Sequence, residues 1–278
     1  MAYKLPNLQM ENRCSTNIAL DKRQVRQSFA NAAQGYDAIA TLQRQVGREL
    51  ISRLSLPHEA LVLDVGCGTG FFSQQLRDRA LLKNIIGLDI AMPMLEKTRQ
   101  RLIDAPVLLL CADVEQLPLA NSSIDALVSN LALQWCSNLD VLFAGVQRAL
   151  RTNGLFAFST FGESALCELK SAWAEVDDYP HVNDFFSLLE IKQRMTAAGF
   201  VDVRLERQVY QVKYTSVIDL MRELKGIGAH NVSQGRNKQL TSKGHLQSLL
   251  AAYPVTADGK ITASYEVIYV LAKSGQRQ

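Results

Sequence analysis

One short segment combines three glycines and an acid in a spacing that suits the binding of a small ligand. It reads Asp64-Val65-Gly66-Cys67-Gly68-Thr69-Gly70, and it lies between an apolar run and a helical pattern. Glycines at alternate positions let the backbone turn tightly and approach a ligand without an intervening Cβ atom. The helix that follows would offer free N–H groups in its first turn.

The spacing of this glycine loop argues against two common nucleotide loops. A dinucleotide loop reads GxGxxG, whereas here the third glycine comes one residue earlier, and the sequence has no GxxxxGK[ST] pattern. Asp64 stands two residues before Gly66, where its carboxylate would repel a pyrophosphate. The loop therefore favours a cationic ligand, such as one with an α-amino group or a sulfonium.

Two further acids follow the next two apolar runs. Asp89 ends the run at 84–89, and Asp113 follows the run at 107–111. A carboxylate at the first position can accept both hydroxyls of a ribose. One at the second can accept the exocyclic amine of an adenine, with the Val114 N–H available to a ring nitrogen. Either acid alone could instead cap a helix or a turn, but their joint spacing favours a ligand site.

These acids can share one site if the apolar runs are strands of a parallel sheet. Short apolar runs occur at 61–65, 84–89, 107–111, 124–130 and 155–161, the last after a turn signal at 152–154. Helical patterns at 71–79, 93–102 and 140–150 separate them, which predicts an α/β fold with a mostly parallel sheet and helices on both faces. Two more strands are predicted at 201–212 and 265–271, making seven. In such sheets ligands bind at the carboxyl ends of the strands.

The rest of the chain predicts additions to this core. Two helices within 21–54, broken near Gly35, indicate an N-terminal helical segment over 1–57. The core would comprise 58–214 with 260–278, including helices at 163–176 and 185–198. Residues 215–259 are helical with a glycine-rich middle, and they predict an inserted helical cap near the substrate site.

Composition excludes several classes of protein. The chain has 278 residues, 47% of them hydrophobic and 21% charged, as in soluble globular proteins. No apolar run approaches the roughly 18–20 residues of a membrane span, and no signal-peptide pattern opens the chain, so we expect a cytoplasmic protein without membrane contact. A net charge of +3 disfavours nucleic acid as a partner. The five cysteines and four histidines show no CxxC or HxxxH spacing, so we expect no metal.

The glycine loop and the three acids resemble those of the class I S-adenosylmethionine-dependent methyltransferases, over roughly residues 58–161. The resemblance implies a Rossmann-like fold and S-adenosylmethionine as the methyl donor. The loop would hold its methionine part, Asp89 the ribose, and Asp113 with Val114 the adenine. The donor-binding residues that the resemblance implies are Tyr36, Asp64, Gly66, Cys67, Gly68, Gly70, Asp89, Ile90, Asp113, Val114, Asn130 and Leu131.

A closer resemblance, from about residue 22 to 272, is to the malonyl-acyl-carrier-protein O-methyltransferases of biotin synthesis, the BioC family. The segments that carry it are FANAAQGYD at 29–37, DVEQLPL at 113–119, LQWC at 133–136, LKGIGAHN at 224–231 and ITASYEVIY at 261–269. It implies that the free carboxylate of malonyl-acyl carrier protein receives the methyl group. The resulting methyl ester primes pimeloyl synthesis for biotin.

This reaction needs few catalytic groups, because a malonyl carboxylate is already ionised at neutral pH. The enzyme has only to align the reacting atoms and exclude water. Side chains that could hold the carboxylate are His230 and Asn231 in the cap, followed by Gln134 and Trp135. Two of these have a plainer alternative, His230 as a structural cap residue and Trp135 as a core aromatic. Tyr36, expected at the donor, could instead be a helix-packing residue.

Basic charge is concentrated in one segment. Residues 204–245 hold eight basic and three acidic side chains, a net charge of +5, which exceeds the +3 of the whole chain. The family resemblance implies that this basic segment docks a strongly acidic carrier protein. The candidate contacts are Arg204, Arg207, Lys225, Arg236, Lys238 and Lys243. Two alternatives stay open: a class I methyltransferase of a free small molecule, and a non-catalytic S-adenosylmethionine-binding protein.

Overall fold

The computed structural model describes residues 20–80, 82, 84–104, 107–229 and 242–276. Four residues singled out above, His230, Asn231, Arg236 and Lys238, lie outside this range. Within it, no helix is long and apolar enough to cross a membrane.

The described residues form a seven-stranded sheet with the order β3-β2-β1-β4-β5-β7-β6. Its strands are β1 (Leu61–Val65), β2 (Asn84–Asp89), β3 (Leu108–Cys111), β4 (Ile124–Asn130), β5 (Leu150–Phe161), β6 (Phe200–Tyr214) and β7 (Ile261–Ser274). The first five run parallel, and β7 runs antiparallel to both β5 and β6. The predicted mostly parallel sheet of seven strands is confirmed.

Helices cover both faces of the sheet. They are α1 (Lys22–Ala32), α2 (Tyr36–Ile39), α3 (Thr41–Ser52), α4 (Phe71–Ala80), α5 (Met92–Arg101), α6 (Leu139–Ala149), α7 (Cys167–Ala174), α8 (Leu188–Ala197), α9 (Val217–Gly226) and α10 (Lys243–Ala252). Short 3-10 turns follow β3 at Val114–Gln116 and β4 at Leu133–Trp135.

Two apolar cores lie against the two faces. Val62 and Leu63 of β1 are both fully buried, and they belong to different cores because neighbouring strand residues point to opposite faces. The α6/α8 core contains Leu63 and the facing residues of α6 and α8. The α3/α7 core contains Val62 and the buried residues of α3, α4, α7 and α9. A strand buried on both faces is mostly apolar, which is why all of β1 except Asp64 forms a short apolar run.

The turn expected at 152–154 does not precede the strand but lies within it, as a bulge. Residues 150–161 form one strand, in which Leu150 pairs with Ile124 and Leu155 pairs with Ala126, so 151–154 form a bulge. Asn153 there has a positive φ of 61°. The local signal for a turn was real, but pairing with β4 continues on either side of it.

Other boundaries also shift. β6 and β7 extend beyond 201–212 and 265–271, because they pair with each other over most of their lengths. The helix expected at 163–176 begins at Cys167, directly after Leu166 with a φ of 59°. Helices α9 and α10 lie between β6 and β7 in the chain, where the cap was predicted. The division into three domains stays a prediction.

Candidate active site

A cavity of about 90 Å³ lies at the carboxyl ends of β1, β2 and β4. We call it the donor cavity. Nine of the residues predicted to bind the methyl donor line it, together with Trp135. These nine are Tyr36, Gly66, Gly68, Asp89, Ile90, Asp113, Val114, Asn130 and Leu131. The other three, Asp64, Cys67 and Gly70, are not among its lining residues.

The three loop glycines serve different purposes. All have positive φ, 67° at Gly66, 56° at Gly68 and 81° at Gly70. A Cβ atom on Gly66 would fall 2.2 Å from the Cβ of Ala132, and one on Gly70 would fall within 3.0 Å of the Thr98 backbone. The position of Gly68 is open, and its N–H donates to Asp89 Oδ2 at 3.0 Å. Only Gly68 thus combines left-handed backbone with free space beside a cavity-lining acid.

Asp89 is 7% exposed and bridges two backbone segments. Its carboxylate accepts from the N–H groups of Gly68 at 3.0 Å and Ala91 at 2.8 Å. Burial raises the pKa of Asp89 to about 6, although these backbone donors act against the rise. The carboxylate is therefore fixed at the end of β2 before any ligand binds.

Asp64 lies in a still drier environment, at 1% exposure. The Ser73 hydroxyl donates to its Oδ2 at 2.5 Å, while Oδ1 is buried without a hydrogen-bond partner among the described residues. Burial, with the nearby Asp89 carboxylate, raises the pKa of Asp64 to about 7. An unpaired buried oxygen next to the glycine loop suits a positively charged ligand group.

A lysine that the sequence analysis did not identify reaches the far end of this cavity. Lys22 of α1 lines it, and its Nζ lies 3.3 Å from Asp113 Oδ1 and 2.7 Å from Glu115 Oε2. Asp113 also accepts from the Glu115 N–H at 3.1 Å. The start of α1 is thereby attached to the acid predicted to recognise an adenine.

The end of β4 presents backbone rather than side chains. Asn130 uses its amide internally: Nδ2 donates to Gln43 O at 2.9 Å, and Oδ1 accepts from the Ser159 hydroxyl at 2.9 Å. Leu131 follows with a φ of 48°, and its N–H donates to Ser159 O at 3.1 Å. These bonds hold the turn after β4 in a left-handed conformation that a leucine rarely adopts.

Tyr36 covers the donor cavity from the N-terminal side. Burial and the neighbouring Asp89 carboxylate raise its pKa, so its phenol stays neutral. The next residue, Asp37, accepts from the Thr69 hydroxyl at 2.7 Å and pairs with Arg101 of α5. These contacts tie α2 directly to the glycine loop.

A second cavity, of about 190 Å³, adjoins the first. We call it the acceptor cavity. It shares Phe29, Tyr36, Leu131 and Trp135 with the donor cavity, so these four residues mark the junction. The rings of Phe29 and Trp135 meet edge to face at 5.3 Å. A ligand in each cavity would meet the other at this junction.

Most of the acceptor cavity is apolar, but Gln134 adds an amide. Its Nε2 donates to Leu131 O at 2.7 Å, and its Oε1 is buried without a partner in the described part of the chain. The predicted residues Gln134 and Trp135 therefore lie together at this cavity. Whether His230 and Asn231 join them is a prediction outside the described range.

Sequence reasoning missed one side of the acceptor cavity. Seven of its lining residues come from the segment between β5 and α8, namely Leu166, Leu169, Trp173, His181, Val182, Asn183 and Phe185. They share no motif, and their approach to β4 depends on long-range packing. One local signal was available: Asp177 and His181 are four residues apart, a spacing that can place an acid beside a histidine.

The described basic residues do not share one face. Tyr210 and Tyr214 of β6 belong to the α3/α7 core, so Arg204, an even number of residues away, faces the same side. Arg207 and Lys213 face the other side. Lys225 of α9 is exposed and lines the acceptor cavity, which the bases on β6 do not.

Comparisons with known proteins agree with this arrangement. Residues 63–158 match the family model of a methyltransferase domain. The fold is similar to that of phosphoethanolamine N-methyltransferase 2 of Haemonchus contortus, solved in complex with S-adenosyl-L-methionine, with a TM-score of 0.52 and 18% identity over 83% of this chain and 52% of that one. The fold is therefore that of a Rossmann-like class I methyltransferase.

Curated relatives indicate which family of methyltransferases the chain belongs to. The chain is 43% identical over 260 residues to the malonyl-[acyl-carrier protein] O-methyltransferase of Methylovorus sp. (strain MP688), covering 90% of this chain and 88% of that protein. It is 39% identical over 265 residues to the biotin biosynthesis bifunctional protein BioHC of Saccharophagus degradans, covering 91% of this chain and 47% of that protein. The chain belongs to the malonyl-[acyl-carrier protein] O-methyltransferase family.

Proposed function

We propose that this protein transfers a methyl group from S-adenosylmethionine to the free carboxylate of malonyl-acyl carrier protein, giving the methyl ester used in biotin synthesis. The observation that carries the proposal is the junction of the two cavities at Phe29, Tyr36, Leu131 and Trp135, in a chain similar over nine-tenths of its length to proteins of that name. One cavity suits a nucleoside, and the other suits an acyl chain.

The residues of the donor cavity fit S-adenosylmethionine. Asp89 and Asp113 stand at the ends of neighbouring strands, as ribose and adenine require, and Asp64 Oδ1 is a buried acceptor without a donor among the described residues. When bound, the compound supplies a methyl group on a positively charged sulfur. We assign Asp89 to the ribose hydroxyls, Asp113 and the Val114 N–H to the adenine, and the glycine loop with Asp64 to the methionine end.

The acceptor cavity would activate its substrate by removing water. A carboxylate in water is shielded by hydrogen bonds that must break before it attacks a carbon. The apolar walls, including Phe161, Leu169 and Met221, replace that water, while the junction residues restrict the direction of approach. Neither effect needs a general base.

Polar groups would hold the carboxylate in place. The second N–H of Gln134 Nε2 and the indole N–H of Trp135 are donors in the lining of the acceptor cavity. His230 and Asn231 remain proposed contacts from the cap. The methylated product is neutral and loses the attraction of these donors for an anion, which favours its release.

Lys225 suits the approach of an acidic carrier protein. It is exposed, lies at the end of α9 and lines the acceptor cavity, so its charge stands where a pantetheine arm would enter. Long-range attraction between a basic rim and an acidic partner raises the rate of encounter.

Mass spectrometry of the carrier protein tests the proposal. Malonyl-acyl carrier protein incubated with this enzyme and S-adenosylmethionine should gain the mass of one methyl group in exchange for a proton, while acetyl-acyl carrier protein should gain nothing. If malonyl-acyl carrier protein gains no mass while the enzyme binds the donor in calorimetry, the acceptor is a free small molecule or the protein is not catalytic.

A further inference from the structure

The acceptor cavity would have to bind an anion within largely apolar walls. Burying a carboxylate without a compensating charge is costly. Among its described lining residues, two can carry a positive charge, Lys225 and His181. Lys225 is exposed, whereas the His181 side chain is only 16% exposed. The two therefore differ in how directly they can meet a buried acyl group.

His181 is held in a fixed orientation. Its ring stacks on the indole of Trp173, with ring centroids 3.6 Å apart and planes inclined by 7°. Its Nε2 lies 2.8 Å from Asp177 Oδ1. Because Nε2 faces this carboxylate, Nδ1 is the ring nitrogen left for a ligand, and it can donate only when the ring is protonated.

Asp177 is suited to stabilise that protonated ring. Its side chain is 12% exposed, and its Oδ2 lies 3.8 Å from Nδ1 of His245 on α10. Burial alone would raise its pKa, but the hydrogen bonds from His181 and the Tyr179 N–H lower it below the usual value. Asp177 therefore stays ionised beside His181.

We propose that His181, oriented by Asp177 and Trp173, recognises the carboxylate of the malonyl group in the acceptor cavity. This inference rests on the proposed function. A carboxylate nucleophile needs no general base, so the Asp177–His181 pair is available for charge recognition. Lys225, at the exposed end of the cavity, is left for the carrier protein or its pantetheine arm. Asp177 and Trp173 are positioning residues, since they act through the histidine.

Binding of two carrier-bound acyl groups separates charge recognition from folding. The isovaleryl group has nearly the shape of malonyl but ends in a neutral isopropyl group. With S-adenosylhomocysteine present to prevent turnover, the wild-type enzyme should bind malonyl-acyl carrier protein about tenfold or more tightly than isovaleryl-acyl carrier protein. In His181→Phe, which keeps an aromatic ring on Trp173, this preference should fall to within about twofold.

The control is His58→Phe, the same change at an exposed histidine before the amino end of β1, whereas the donor cavity lies at the carboxyl ends of the strands. It should keep the full preference. Asp177→Asn, which keeps an oxygen facing His181 but removes the charge, should lose part of the preference for malonyl-acyl carrier protein. If His181→Phe prefers malonyl as strongly as the wild type does, the inference is wrong. A wild-type enzyme that neither methylates nor prefers malonyl-acyl carrier protein would contradict the proposed function itself, and not only the role of His181.

Discussion

Two buried carboxyls next to the glycine loop concentrate negative charge where a cationic donor would bind. Asp89 is already hydrogen-bonded by Gly68 and Ala91, and Asp64 has one oxygen without a partner among the described residues. Burying such groups costs free energy in the ligand-free protein. A sulfonium compound with an α-ammonium group would offset that cost on binding. Affinity for the donor should therefore depend on both residues, through different parts of the ligand.

The ribose assignment of Asp89 gives the first prediction. Asp89→Asn should weaken binding of S-adenosylmethionine about tenfold or more, because hydrogen bonds to a charged group contribute roughly 1.5–3 kcal/mol. Isothermal calorimetry measures this, with Asp104→Asn, on an exposed turn after α5, as the control. Thermal melting checks that both variants fold. If folded Asp89→Asn binds S-adenosylmethionine as tightly as the wild type does, Asp89 does not bind the ribose.

Asp64 predicts a pH dependence of stability. Its pKa in the folded protein, about 7, lies above the ordinary aspartate value of 3.8. The unfolded chain therefore gives up this proton at lower pH, and stability is lost as the pH rises through this window, by at most about 1.4 kcal/mol per pH unit. Asp64→Asn should lose less stability than the wild type between about pH 4 and pH 7, as urea denaturation at several pH values would show.

A carboxyl with the opposite shift serves as the control. Although partial burial opposes the change, hydrogen bonds from the Leu61 N–H and Arg151 lower the pKa of Asp125. Its contribution is therefore present at neutral pH and is lost as the pH falls. Asp125→Asn should cost most near pH 7 and least in acid. If Asp64→Asn showed that same trend, the raised pKa of Asp64 would be wrong.

At the scale of elements, packing explains the two glycines at the end of α9 and just beyond it, Gly226 and Gly228. A Cβ atom on Gly226 would fall 2.4 Å from Cδ1 of Ile39 on α2. Gly228 has a φ of 75°, and a Cβ atom there would fall 3.1 Å from the carbonyl oxygen of Ser28 on α1. The glycine-rich segment thus lets α9 approach the two helices that cover the donor cavity. Close contact there links the acceptor side of the site to the donor side.

This contact predicts a difference between two glycines with the same backbone angle. Gly259 also has a φ of 75°, but it has nothing within 4 Å of its Cβ position. Gly259→Ala should cost about 1 kcal/mol of unfolding free energy from backbone strain alone. Gly228→Ala should cost more and should also raise the KM for S-adenosylmethionine, since crowding against Ser28 displaces α1. Equal losses of stability with unchanged kinetics in both variants would contradict the proposed contact.

The elements differ in how far sequence alone could place them. Strands such as β1 and β4 are buried on both faces, so their apolar runs mark them clearly, together with the glycine after β1 and the asparagine that ends β4. The ends of β6 and β7 could not be placed, because each is set by pairing with the other strand. The donor site follows from three successive strand ends and was predictable. The acceptor side was not, because Trp173 and His181 reach it through tertiary packing.

At the scale of the whole molecule, the fold divides the basic charge that is contiguous in sequence. Alternation along β6 places Arg207 and Lys213 on the face away from α9. There Arg207 lies 3.4 Å from Glu266, and Lys213 lies 3.7 Å from Asp258. The net charge of 204–245 therefore overstates the field that a carrier protein meets at the acceptor cavity. Among the described residues of this segment, Lys225 is the exposed base that also lines that cavity.

Two matched charge reversals test this division. Lys225→Glu should raise the KM for malonyl-acyl carrier protein several-fold at low salt, because it replaces attraction by repulsion at the cavity entrance. The KM for malonyl-pantetheine, which lacks the acidic protein, should change much less. Added salt should reduce the difference in KM for malonyl-acyl carrier protein between the variant and the wild type. Lys213→Glu changes the net charge equally on the other face and should leave both KM values near those of the wild type. If the two reversals raised the KM for the carrier-bound substrate equally, overall charge rather than a local docking site would govern the encounter.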